Sequence, residues 1–121
     1  MAKLLVVEDD ISVRSFVARA LIASGFTVET AEDGLDGLNK IMEAAGAYDL
    51  VLSDIRMPAM DGIEMARHVA KAFPHLRLML MTGYADQRER AVELDGTVRA
   101  VVNKPFTLME LRERVSQVLA A

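Results

Sequence analysis

The chain has 121 residues, enough for one domain with a substantial core, and its 52% hydrophobic content marks it as globular rather than disordered. It contains no cysteine, which excludes a disulfide framework, thiolate zinc sites and a cysteine nucleophile. Its net charge of −4 opposes direct binding of nucleic acid, which requires a basic face that releases counterions from phosphates. The opening MAKLLVVEDD has only four strongly apolar residues before three acids, too few for a signal peptide or a membrane span, so a cytoplasmic protein without membrane association is expected. No internal repeat, low-complexity tract or Pro/Gly/Ser-rich linker divides residues 1–121.

Leu4-Leu5-Val6-Val7 is a short apolar run, suited to a buried strand, that stops at Glu8-Asp9-Asp10. From Ile11 the period becomes helical through Val13, Phe16, Val17, Ala20 and Leu21, with Asp10 available as N-cap and Gly25 as terminator. Phe26, Val28 and Thr30 alternate with Thr27 and Glu29, the signature of a half-exposed edge strand. A second helix is predicted from about Asp33 to Ala45, burying Leu38, Ile41 and Met42, although Gly37 inside it costs roughly 1 kcal/mol relative to alanine. Tyr48 to Asp54 carries the next apolar run, and Pro58 with Asp61-Gly62 marks the loop after it. Asp61 and Glu64 then stand as a capping box before a stripe of Ile63, Ala66, Val69, Ala70 and Phe73, which Pro74 stops. Leu76–Met81 is a strand ending at Thr82-Gly83, Asp86–Leu94 a short polar helix, and Val98–Asn103 the last strand, followed by Lys104-Pro105. Thr107 and Glu110 form a further capping box ahead of Leu111, Val115, Val118 and Leu119.

Five strands alternating with five helices imply parallel pairing, and the apolar central strands imply a sheet covered on both faces. The expected fold is a doubly wound α/β domain, in which ligands bind beyond the carboxyl ends of the strands. Glu8, Asp9, Asp54, Thr82 and Lys104 all fall at such ends. Each has a plainer reading as a cap, loop or turn residue, but their convergence on one edge is what those readings do not explain. Three neighbouring carboxylates repel, so one must take a proton or the group must take a cation, and hard oxygens at a hydrated site favour a magnesium-type ion. With a hydroxyl from Thr82 and an ammonium from Lys104, the set suits formation of an acyl phosphate on Asp54.

Here the sequence resembles the CheY-like receiver domain of two-component response regulators over nearly its whole length. VVEDD resembles that family's first strand and acidic pair, SDIRMPAMDG its phosphoacceptor loop, MTG the end of its fourth strand and NKPF its lysine–proline turn. The resemblance implies a five-stranded flavodoxin-like sheet of order 2-1-3-4-5. It also implies a phosphoryl group taken onto Asp54 from a histidine kinase or histidine phosphotransfer protein. Asp9, Asp54 and the backbone carbonyl of Arg56 would bind Mg2+ directly, with Glu8 acting largely through water. Thr82 and Lys104 would hold the phosphoryl group, and the Lys104-Pro105 peptide would be cis. Switching would act on a downstream protein target through the face of the fourth helix, last strand and fifth helix. On this reading the chain is not an enzyme beyond its own phosphorylation and dephosphorylation.

One departure stands out. Many receivers have an aromatic residue at the position of Val101, whose swing reports phosphorylation. Valine has no such swing, so the change is expected to pass through Tyr84, with Phe106 the other nearby aromatic. His68 and His75 read as surface residues, and Met79 and Met81 as core. The first and last residues suit a free-standing receiver, while a domain of a longer regulator or hybrid kinase would read the same. A magnesium-dependent aspartyl-phosphate phosphohydrolase is the alternative from the enzyme class. Its haloacid-dehalogenase type carries DxDxT where this chain has EDDIS. A receiver-like interaction module that is never phosphorylated is opposed by the intact Asp54, Thr82 and Lys104. A nucleotide-binding domain lacks its GxGxxG or GxxxxGK[ST] loop.

Overall fold

Central strands that are apolar along most of their length need cover on both faces, and the computed structural model supplies it. It describes residues 2–83 and 98–121. In chain order these form β1 (Lys3–Val7), α1 (Ile11–Ala23), β2 (Thr27–Ala31), α2 (Gly34–Glu43), β3 (Leu50–Asp54), α3 (Gly62–Ala72), β4 (Leu78–Thr82), β5 (Val98–Asn103) and α4 (Leu108–Ala120). The predicted helix over Asp86–Leu94, and Tyr84, lie outside the described residues. All pairings are parallel, in the order β2-β1-β3-β4-β5, as expected for the doubly wound fold.

Alternate strand residues feed two cores. Leu5, Val7, Val51, Leu78 and Leu80 face one way, under Ile41 of α2 and Ile63, Met65, Ala66 and Val69 of α3. Leu4, Val6, Leu50, Leu52, Met79 and Met81 face the other, under Val17, Ala20 and Leu21 of α1 and Leu111, Val115 and Val118 of α4. Each fully buried leucine or methionine contributes about 1.5–3 kcal/mol, so the central strands anchor the domain. Edge strand β2 has an exposed face of Thr27 and Glu29 and a half-buried one of Val28 and Thr30, the predicted alternation.

The helix starts follow the caps. Asp10 accepts from the Ser12 and Val13 amides, Asp33 from Asp36, and Asp61 from Glu64. Thr107 and Glu110 close a full capping box, with bonds of 3.1 and 3.3 Å. Thr107→Ala should therefore cost about 1 kcal/mol, read as a lower urea midpoint at unchanged slope. Gly25, at φ +97°, takes the left-handed turn that ends α1. Gly37 has a packing reason, since a Cβ there would lie 2.9 Å from Val7 Cγ2.

Several expectations need correction. Phe16 and Met42 are 47% and 53% exposed rather than in the core. Ala70 and Phe73 are only half-buried, and Met65, absent from the predicted stripe, is fully buried. β4 begins at Leu78, although Leu76 is buried ahead of it, and α2 ends at Glu43.

Candidate functional site

The parallel sheet aligns its strand ends. Asp54 pairs in register with Met81, and Thr82 with Asn103, so β3, β4 and β5 deliver Asp54, Thr82 and Lys104 to one edge beside the loop after β1. Glu8 extends β1 by one rung, its amide donating to the Ala31 carbonyl at 3.0 Å, and its side chain is wholly buried. Asp9, next in the chain, is exposed, and Asp10 is committed to capping α1.

Lys104 joins the carboxylates. Its Nζ lies 3.0 Å from Glu8 Oε1 and 3.2 Å from Asp54 Oδ2, while its amide donates to the Thr82 carbonyl at 2.8 Å. The Lys104-Pro105 peptide is cis, as the resemblance implied. Asp54 is 9% exposed, and its Oδ1 accepts the Ile55 amide at 2.9 Å. Thr82 is buried at the end of β4. One carboxylate oxygen from each of Glu8, Asp9 and Asp54 lies within 4.8 Å of the others.

Such proximity has an electrostatic consequence. Burial of Glu8, reinforced by its hydrogen bond and charge interaction with Asp54, outweighs the attraction of Lys104 and pushes its carboxyl up to about 8. Burial pulls the Lys104 ammonium down, but its hydrogen bond with Glu8 and the charges of Asp54 and Glu8 prevail and hold it above the ordinary lysine range. At neutral pH one proton on Glu8 and one ammonium thus relieve the crowding without a metal. The donor set also fits a divalent ion. Three hard oxygens converge, and the exposed Asp9 leaves a hydrated approach.

The loop that presents Asp54 is tightly built. The Asp54 carbonyl accepts Ser53 Oγ at 2.8 Å, the Gly62 amide donates to the Ile55 carbonyl at 2.8 Å, and Ala59 holds φ +68°. Gly62 is a residue whose role here the sequence reading did not reach. Asp61-Gly62 signalled a turn, whereas the structure uses Gly62 to bring α3 against the Asp54 carbonyl. Arg56 is exposed two residues beyond Asp54. Val101 is half-buried against the α2–α3 core, and Phe106 against the α1–α4 core. Phe106, Pro105, Phe16, Val13 and Ser12 line a shallow, mostly apolar cavity beside Lys104. His68 and His75 are exposed, away from this edge. No helix among the described residues is long and apolar enough to cross a membrane.

Comparison with known proteins places the fold in a family. The family model for the response regulator receiver domain matches residues 4–116. The response regulator receiver protein CpdR of Brucella abortus is 35% identical, with 100% of this chain and 99% of that protein covered. The sensor kinase CckA of the same organism is 36% identical over 98% of this chain, which spans only 12% of that protein. The chain likewise spans 51% of the transcriptional regulatory protein CpxR homolog of Haemophilus influenzae. Among solved structures, the response regulator TrrA of Thermotoga maritima, in complex with Mg2+-BeF, superposes with a TM-score of 0.87 at 32% identity, covering 98% of this chain and 99% of that one. With its strand-end acids and lysine set out as above and its sequence matched almost end to end, the chain belongs to the response regulator receiver domain family.

Proposed function

We propose that Asp54 is the phosphoacceptor, taking a phosphoryl group from a histidine kinase or histidine phosphotransfer protein, and that the modified domain switches contacts with a downstream protein. The observation that carries this reading is the placement of Lys104 Nζ 3.2 Å from an Asp54 carboxylate held at the open edge of the sheet. The Asp54 oxygen attacks phosphorus as the bond to the donor imidazole breaks, and the imidazole leaves with the electron pair. Lys104, which balances the resting carboxylate, then stands beside the phosphoryl oxygens, and the Thr82 hydroxyl at the end of β4 serves as a donor to them. Asp9, Asp54 and the Arg56 carbonyl would hold Mg2+, with Glu8 acting through water. The ion would neutralise charge on the phosphoryl oxygens.

The shallow apolar cavity beside Lys104, with half-exposed Phe16 on its wall, suits the apolar surface of a phosphodonor protein. Chemistry is confined to the domain's own phosphorylation and dephosphorylation, in the cytoplasm. Val101 is stiff at χ1, so readout is assigned to movement of Thr82 carried through Tyr84, with Phe106 the other aromatic residue of the switch.

Acetyl phosphate with magnesium should add one phosphoryl group to the wild-type chain, detected by intact mass, and none to Asp54→Asn. Unchanged labelling of that variant would overturn the assignment.

A further inference from the structure

Arg14 lies at the N-terminal end of α1, where the helix dipole disfavours a cation, and the first turn of α1 contains no acidic residue to offset it. An acid does stand at the N-cap, four residues earlier, but the Asp10 carboxylate is engaged by the Ser12 and Val13 amides. The Arg14 guanidinium turns back instead, and Nη1 donates to the backbone carbonyl of Glu8 at 2.9 Å. The other polar atom of the same peptide unit, the Asp9 amide, donates to Glu8 Oε2 at 3.0 Å. Upstream, the Glu8 amide is fixed by Ala31, and downstream Asp10 is fixed by its cap on Ser12 and Val13. The peptide plane that sets the direction of the exposed Asp9 side chain is thus clamped at both ends, and one clamp is Arg14.

We infer that Arg14 is a positioning residue for the acidic loop: its bond to the Glu8 carbonyl keeps Asp9 directed towards Asp54. The inference rests on the reading of Asp9 and Asp54 as a magnesium site. The other clamp is made by the Glu8 carboxyl, which Lys104 also engages at 3.0 Å. The guanidinium contact is made to the Glu8 backbone carbonyl, so it holds the loop without using that carboxyl. Outer residues that orient metal-binding groups typically contribute about 10–100-fold to metal affinity.

Magnesium titration of the full chain, followed by melting temperature and by the amide signals of Asp9 and Ile55, tests this. Arg14→Met keeps the aliphatic stem and removes the donor. It should raise the magnesium midpoint about tenfold while the metal-free melting temperature stays close to wild type. Arg14→Lys, which restores a cationic donor, should recover most of that loss. An Arg14→Met midpoint equal to wild type overturns the inference, as does a lysine variant no better than methionine. A methionine variant that fails to fold overturns it too, because the guanidinium would then be holding the fold rather than the loop. A wild-type chain with no magnesium response would instead overturn the metal-site reading beneath it.

Discussion

Metal-free protein should lose stability as pH rises from about 4.5 to about 8, and Glu8→Gln should remove most of that loss. The ordinary pKa of the Glu8 carboxyl, 4.5, is raised to about 8 in the fold, chiefly by burial and then by Asp54. Between those values the folded chain holds a proton that the unfolded chain has released. Unfolding is then favoured by each increment of pH, and the curve levels once Glu8 ionises in both states. Each unit of displacement corresponds to about 1.4 kcal/mol, so the whole window amounts to something on the order of 5 kcal/mol. Other displaced groups act elsewhere. Lys104, raised, stabilises the fold at all lower pH and gives this up only as pH climbs through its folded value, above 10.5. Glu29, lowered first by its hydrogen bond with Lys3, contributes above its ordinary value and loses this as pH falls below 4.5. Asp54→Asn should narrow the Glu8 window without closing it, because burial is the larger cause. Urea midpoints measured from pH 4 to 9 in the presence of a chelator would check this; a flat wild-type curve, or an unchanged slope in Glu8→Gln, would contradict it.

That electrostatic detail marks where sequence reading stops. VVEDD announces a strand followed by acids, and the fold and the converging set of Glu8, Asp9, Asp54, Thr82 and Lys104 were all legible from such runs and their ends. The sequence does not distinguish Glu8, wholly buried on the last rung of β1, from Asp9, exposed one residue later, because that depends on pairing with Ala31 of β2. The misplaced apolar residues have a common cause. At about 100° per residue, Phe16 stands off the line of Val13, Val17, Ala20 and Leu21, and Met42 stands off that of Gly37 and Ile41. A residue on the flank of a stripe is buried only if a neighbour covers it. Met65 shows the opposite case. It is buried because Gly37 of α2 comes close enough for a Cβ there to meet Met65 Sδ at 3.1 Å, and no local pattern in α3 encodes that neighbour.

Gly62→Ala should destabilise the domain by about 3 kcal/mol or more and slow phosphorylation of Asp54. A Cβ on Gly62 would fall 2.2 Å from the Asp54 carbonyl oxygen, 3.1 Å from its carbon and 3.1 Å from Ile55 Cα. All three are backbone atoms at the end of a fully buried strand, so no side chain can rotate aside. Relief requires α3 to lift from β3, which stretches the 2.8 Å bond from the Gly62 amide to Ile55 and displaces the residue that carries the acceptor carboxylate. Gly34 repeats the arrangement on the other side of the loop, where a Cβ would meet the Met60 carbonyl oxygen at 2.0 Å. The β3–α3 loop is therefore held between two glycines, and Gly34→Ala should act in the same direction. Gly83 supplies the control, since a Cβ there meets nothing within 4 Å among the described residues. Gly83→Ala should leave stability within about 1 kcal/mol of wild type, or raise it slightly by restricting the unfolded chain. Urea unfolding of the three variants, with acetyl phosphate labelling rates measured well below each midpoint, separates the two effects. A Gly62→Ala protein as stable as Gly83→Ala would mean that the loop has slack, and that close packing against the Asp54 carbonyl does not fix the acceptor.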